Sequence, residues 1–210
     1  MLDSYKTVQD YGEKQIIIKK SRFIGQAKPV ENEQEALSFI EEIRKRHWSA
    51  THNCFAYVAG DRDQFQKQSD DGEPQGTAGK PILEIIKQKE LKNVAIVVTR
   101  YFGGVMLGAG GLIRAYADGA QAALEAARIV TKTLHCKVKI EIDYPWLGKL
   151  ENELRHRGIL MGQTEFTDRV ALTCLPLAAE SASFAAWVTD LTQGQCVITH
   201  GEPEYVMHPA

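Results

Sequence analysis

The chain has no Cys-x-x-Cys pair and no His-Glu-x-x-His, and its four cysteines (Cys54, Cys136, Cys174, Cys196) and six histidines are scattered without ligand spacing. No structural or catalytic metal is expected, and a metallopeptidase is excluded. Three of the cysteines fall in apolar or alternating segments, so buried free thiols are the expected state. No run approaches the roughly 18 apolar residues that a membrane helix needs, and residues 1–20 lack the apolar block and small-residue cleavage site of a signal peptide. A cytoplasmic protein with no membrane partner is therefore expected. A dominant charge is missing too: residues 1–131 carry 18 basic and 17 acidic side chains, residues 132–210 carry 7 and 10, and the net charge is −2. An obligate nucleic-acid binder shows a strongly basic balance, so any such binding here must come from a local patch.

What is present suffices for a core. Of the 210 residues, 44% are hydrophobic and 25% charged, which suits a folded chain of one large or two small domains. Gln15 to Ile18 and Phe23–Ile24 read as strands around a polar turn at Lys19-Lys20-Ser21-Arg22. Asn32 followed by Glu35 reads as a capping box, Leu37, Ile40 and Ile43 recur at helical spacing, and Arg44-Lys45-Arg46 meets the negative helix end. Asn53 to Ala59 reads as a strand, followed by a polar loop. Gly79-Lys80-Pro81 opens a helix whose buried side runs from Ile82 to Ile86. Val94 to Thr99, almost wholly apolar, reads as a central strand covered on both faces. Leu112, Ala115, Tyr116, Gly119, Ala123 and Ala126 form the inner stripe of a further helix.

The remainder reads as β-α-β-β-α-β, the ferredoxin-like order. Lys137 to Ile142 alternates with Val138, Ile140 and Ile142 inward. Pro145 starts a helix through Leu147, Leu150 and Leu154 that ends at Gly158. Strands follow around 159–166 and 169–175, then a helix with Phe184, Trp187, Val188 and Leu191, then a strand from Cys196 to Thr199. The boundary is placed near 129–133, giving domains 1–131 and 132–210 in an α+β protein.

Two segments have compositions that packing alone does not readily explain. The first is Ser69-Asp70-Asp71-Gly72-Glu73-Pro74-Gln75-Gly76-Thr77-Ala78-Gly79-Lys80-Pro81, with three carboxylates, three glycines and two prolines. It reads either as an exposed turn or as a functional loop. The second runs from Arg100-Tyr101-Phe102-Gly103-Gly104 through Leu107-Gly108-Ala109-Gly110-Gly111 to Arg114-Ala115-Tyr116. If Gly110 and Gly111 open the helix, their free amides and the helix dipole favour a phosphate or carboxylate, with Arg100 and Arg114 supplying positive charge. The competing reading is that these glycines only permit close helix–sheet packing. Neither a P-loop nor the dinucleotide fingerprint is present.

Both segments, together with Lys20-Ser21-Arg22-Phe23 and His52-Asn53-Cys54, resemble the bacterial, YigZ/YvyE-like members of the IMPACT family over about residues 15–128. Residues 135–200 resemble the second domain of those members. The resemblance implies a two-layer α/β first domain like the second domain of a small-subunit ribosomal protein, a fold shared with a domain of elongation factor G. It also implies a second domain similar to that factor's last domain. Eukaryotic IMPACT proteins regulate translation by competing for the activator of a starvation-responsive kinase. Their N-terminal RWD domain is not expected here, given the short stretch before Gln15, and that partner is not carried over.

The leading expectation is a translation-associated binding protein, not an enzyme, whose partner is RNA, the ribosome or a translation factor. Lys19, Lys20, Arg22, Lys80, Arg100 and Arg114 would neutralise phosphates beside Gly103, Gly104, Gly108, Gly110 and Gly111. Tyr101 and Phe102 are expected to be buried, and would stack on bases only if exposed. The alternative is an enzyme or sensor for a phosphate-containing ligand at Gly108 to Gly111, with Asp70, Asp71 and Glu73 holding Mg²⁺ or acting as a base. No resident cofactor is expected. A third reading is a protein-interaction module with no anion site.

Overall fold

The computed structural model describes residues 1–209. It divides into two compact units: Met1, residues 5–131 and the C-terminal residues from Met207, and separately residues 2–4 with 132–206. The elements are β1 (Ser4–Val8), β2 (Gly12–Ile18), β3 (Ser21–Pro29), α1 (Glu33–Arg46), β4 (His52–Ala59), β5 (Phe65–Ser69), α2 (Gly79–Gln88), β6 (Val94–Tyr101), α3 (Ala109–Ala127), β7 (Ile129–Ile142), α4 (Tyr144–His156), β8 (Leu160–Phe166), β9 (Val170–Leu175), α5 (Ser181–Leu191) and β10 (Cys196–Pro209).

The first sheet runs β2-β3-β6-β4-β5 and is antiparallel throughout. Its central strand β6 is buried at every position from Val94 to Arg100. Val94, Ile96 and Val98 join the core shared with α2 and α3, whereas Ala95 and Val97 join a second core under α1. Helices therefore cover both faces. The two-layer expectation for this domain is corrected by the strand's own composition, because an apolar run without polar alternation needs cover on both sides. Gly25 and Gly119 let α3 approach closely: a Cβ on Gly25 would sit 2.0 Å from the Gly119 carbonyl oxygen.

α1 starts as its sequence predicts, with the Asn32 side chain accepting from the Glu35 amide at 2.9 Å. Two strands escape the sequence reading. β5 lies in the segment read as a polar loop and is almost wholly exposed, so its FQKQS shows no apolar alternation. It is an edge strand defined by its pairing to β4. β1 lies ahead of the first strand expected.

The second sheet runs β1-β7-β9-β8, with β10 also paired to β7. Val138, Ile140 and Ile142 of β7 and Val170, Leu172 and Cys174 of β9 pack against Leu150 and Leu154 of α4 and Phe184 and Val188 of α5. Every residue of that inward set follows from period-two and helical spacing. β10 continues to Pro209, beyond the expected Thr199, with mostly exposed side chains. All four cysteines are free; Cys54 and Cys174 are buried as expected, while Cys136 and Cys196 are partly exposed.

Candidate functional site

Residues 69–81 form a loop folded around its own carboxylates. Asp70 accepts from the amides of Gly76 (2.8 Å), Ala78 (3.0 Å) and Gly79 (2.9 Å). Burial raises the Asp70 pKa, but these three bonds outweigh it and hold the carboxyl below its ordinary value. Asp71 accepts from the Asn53 amide at 2.6 Å and from Arg44 at 3.3 Å. Asp71 also follows Ser69, whose hydroxyl accepts its amide at 3.2 Å. Thr77 donates its hydroxyl to the Pro74 carbonyl at 2.6 Å. Gly72 and Gly76 take positive φ of 89° and 75°, and Gly79 opens α2.

Glu73 is the innermost member. Its Oε1 accepts from Arg100 Nη1 at 2.6 Å and from the Tyr116 hydroxyl at 2.7 Å, and His52 Nε2 stands 3.8 Å away. Burial raises the Tyr116 pKa, so the phenol stays protonated and donates. The Mg²⁺ or base role considered for Asp70, Asp71 and Glu73 is corrected by this geometry: each is committed to amides or to a guanidinium. Among the described residues no group of His, Cys, Asp and Glu has a metal-holding arrangement.

Arg100 is corrected as well. It is only 5% exposed, its charge is matched by Glu73, and its guanidinium lies between the Phe23 and Phe102 rings at 5.4 and 5.3 Å. It braces the site from within and offers no surface charge. Phe102, expected to be buried, is 49% exposed, with the Arg100 guanidinium 5.3 Å from its ring.

The second glycine-rich segment is open. Gly103 follows β6 with its amide donating to Ser21 Oγ at 3.2 Å, and a Cβ there would lie 2.0 Å from the Lys20 carbonyl oxygen. Only glycine lets the segment approach the β2–β3 turn that closely. Gly104 takes a φ of 82°. Val105 and Met106 project outward, while Leu107 turns back onto the core. Gly108, with a φ of 72°, stands as the N-cap of α3 and supplies no side-chain cap. Gly110 and Gly111 lie in the first turn, and the amides of residues 109–111 are those that helix geometry leaves unpaired. An added Cβ would meet open space at Gly108 and Gly110, whereas at Gly111 it would lie 3.0 Å from the Leu107 side chain.

Cationic side chains occur on the β2–β3 turn that Gly103 packs against and on α3 itself. Lys19 and Lys20 form the β2–β3 turn with positive φ of 45° and 68°. Arg22 lies 4.2 Å over the Tyr101 ring. Arg114 folds back so that its Nε donates to the Gly110 carbonyl at 3.2 Å, which keeps its charge at the helix start. None of these four takes part in an ion pair among the described residues. Lys80 is exposed but stands 3.9 Å from Glu84, so part of its charge is answered on α2 itself.

Sequence reasoning missed the turn that follows α1. His47 Nδ1 lies 3.0 Å from the Tyr101 hydroxyl, and Thr51 Oγ1 accepts from the Phe102 amide at 3.0 Å. Trp48 between them is 83% exposed. A tryptophan directly after a basic helix end was the available signal.

The Impact N-terminal domain model matches residues 19–124, and a domain of unknown function, DUF1949, matches residues 140–195. The chain is 48% identical to IMPACT family member YvyE of Bacillus subtilis, covering 98% of this chain and 95% of that one. It is 36% identical to IMPACT family member YigZ of Escherichia coli, covering 84% and 88%. A solved structure described as a hypothetical protein superposes with a TM-score of 0.62 at 33% identity, covering 96% and 99%. Protein IMPACT-B of Xenopus tropicalis shares 32% identity over 43% of this chain and 29% of its own. The two glycine-rich segments and the buried Glu73–Arg100 pair lie inside the matched first domain, and the chain belongs to the IMPACT family.

Proposed function

We propose that the protein is a translation-associated regulator that binds RNA of the translation machinery through the glycine-rich end of its first unit. The observation that carries this reading is the start of α3, which has no side-chain cap, leaves the amides of residues 109–111 without an intrahelical partner, exposes Gly108 and Gly110, and holds Arg114 against the Gly110 carbonyl, while Lys19, Lys20 and Arg22 lie on and beside the β2–β3 turn that Gly103 packs against. Such amides, with the helix dipole behind them, favour an oxyanion, and a nucleic-acid backbone supplies these in series. Family membership supports the translational context, since eukaryotic IMPACT proteins regulate translation. The site of action would be the cytoplasm; no helix among the described residues is long and apolar enough to cross a membrane.

The fold supports the same reading. The order β7-α4-β8-β9-α5-β10, with β9 and β10 both paired to β7, is the one expected of a ferredoxin-like domain and supports reading the second unit as related to the last domain of elongation factor G. The first unit is read as related to the second domain of a small-subunit ribosomal protein, with both sheet faces covered.

A small phosphorylated ligand is the weaker reading. Such ligands are buried over about 70–90% of their surface, whereas Gly108 and Gly110 lie exposed at the helix start.

Co-sedimentation of the full chain with ribosomes over a salt series tests the proposal. Binding that falls steeply with salt, and is lost in a Lys20→Glu/Arg22→Glu variant, is the expected result. Absent or salt-independent binding contradicts it.

A further inference from the structure

Trp48 is more exposed, at 83%, than any other aromatic residue described. It does not hang on a loose loop. His47 before it is the C-cap of α1 and reaches the Tyr101 hydroxyl at 3.0 Å. Thr51 after it is held twice, through its amide to the Arg100 carbonyl at 2.9 Å and through its hydroxyl from the Phe102 amide at 3.0 Å. The chain on either side of the exposed indole is thus held beside the root of the glycine-rich segment.

The charges around this ring are unbalanced. Glu41 and Glu42 are taken by Arg44 and Arg46, and Glu13 by Arg46. Lys45, adjacent to this turn, and Lys19, Lys20 and Arg22 have no ion-pair partner among the described residues. Arg22 is joined to Trp48's turn through the Tyr101 ring, which it covers at 4.2 Å. A flat π-face in water, with unpaired cations at the end of the preceding helix and across the Tyr101 ring, matches a polyanion with flat apolar groups.

Resting on the RNA reading above, we propose that Trp48 is a base-stacking residue and that this surface therefore selects single-stranded over duplex RNA. An unpaired base stacks on the indole while Lys20 and Arg22 meet neighbouring phosphates. A duplex keeps its bases stacked on one another and offers the indole nothing. Phosphate contacts alone do not discriminate in this way, since both forms carry them.

The test is fluorescence anisotropy with a short labelled oligouridine and a duplex of equal length, using the full chain and its Trp48→Ala, Trp48→Phe and Lys20→Glu/Arg22→Glu variants. Because Trp48 is exposed, Trp48→Ala should keep the wild-type Tm. Expected is a loss of about tenfold in single-strand affinity for Trp48→Ala, substantial rescue by Trp48→Phe, and no change for the duplex. Equal weakening of both RNAs, or no weakening of either, overturns the stacking role. If Trp48→Ala leaves RNA affinity intact but abolishes ribosome co-sedimentation, Trp48 contacts protein and the proposal is overturned. Loss of single-strand binding in Lys20→Glu/Arg22→Glu alone leaves the RNA reading standing without Trp48. No RNA binding by the wild type removes both.

Discussion

Glu73 Oε1 lies 2.6 Å from Arg100 Nη1, and this buried contact ties one glycine-rich segment to the other. Arg100 is the residue before Tyr101 at the end of β6, and Glu73 is the inner tip of the 69–81 loop. Tyr116, two turns into α3, donates to the same carboxylate oxygen at 2.7 Å. Strand, loop and helix therefore share one polar centre, and the surface above depends on it for its shape.

Removing one member of this pair should be costly. Glu73→Ala leaves a guanidinium uncompensated among apolar neighbours, and a loss of about 3–5 kcal/mol is expected in urea unfolding. Replacing both partners with apolar residues, as in Glu73→Leu/Arg100→Met, should recover part of that loss, because no charge is then left unpaired although the Tyr116 hydroxyl still loses its acceptor.

Asp70 gives the loop a pH response. Its folded pKa lies below the ordinary 3.8, so its contribution to stability is whole above that value and disappears as pH falls through the depressed one. Thermal melts between neutral and strongly acid pH should show a fall in Tm confined to the acid end, and Asp70→Asn should lower the neutral Tm and flatten that part of the curve.

The cysteines should separate by reactivity. Burial raises the Cys54 pKa, helped by the nearby Glu73, Asp71 and Asp70 charges, and burial alone pushes Cys174 up to about 12. Alkylation of the native protein followed by peptide mass analysis should label Cys136 and Cys196 first, with Cys54 and Cys174 modified only after unfolding.

Gly103→Ala addresses the close approach of the glycine-rich segment to the β2–β3 turn. A Cβ 2.0 Å from the Lys20 carbonyl oxygen forces backbone to move. Destabilisation of about 1–3 kcal/mol is expected, with weaker RNA binding because Lys20 and Arg22 shift with the turn.

Much of this arrangement was legible in the sequence. Asn32 and Glu35 announced α1, the apolar run of β6 announced its central place, and Gly110-Gly111 announced the first turn of α3. What could not be read was direction. Arg100 and Arg114 stand at the two ends of one glycine-rich segment, yet pleating turns Arg100 inward beside Val98 on the α3 face, while the helix period leaves Arg114 outside. The carboxylates of 69–81 looked like ligands because composition records charge and not which amides answer it. β5 was invisible because an exposed edge strand needs only backbone pairing.

Gly110 offers the most direct test of the oxyanion reading. Its Cβ position is free, and an aspartate in the first turn of α3 favours the helix dipole, so Gly110→Asp should fold with an unchanged or slightly higher Tm. RNA affinity of this variant at low salt should fall about tenfold or more, with a shallower dependence on salt concentration than the wild type. Undiminished affinity in the folded variant would contradict the claim that the start of α3 receives a phosphate.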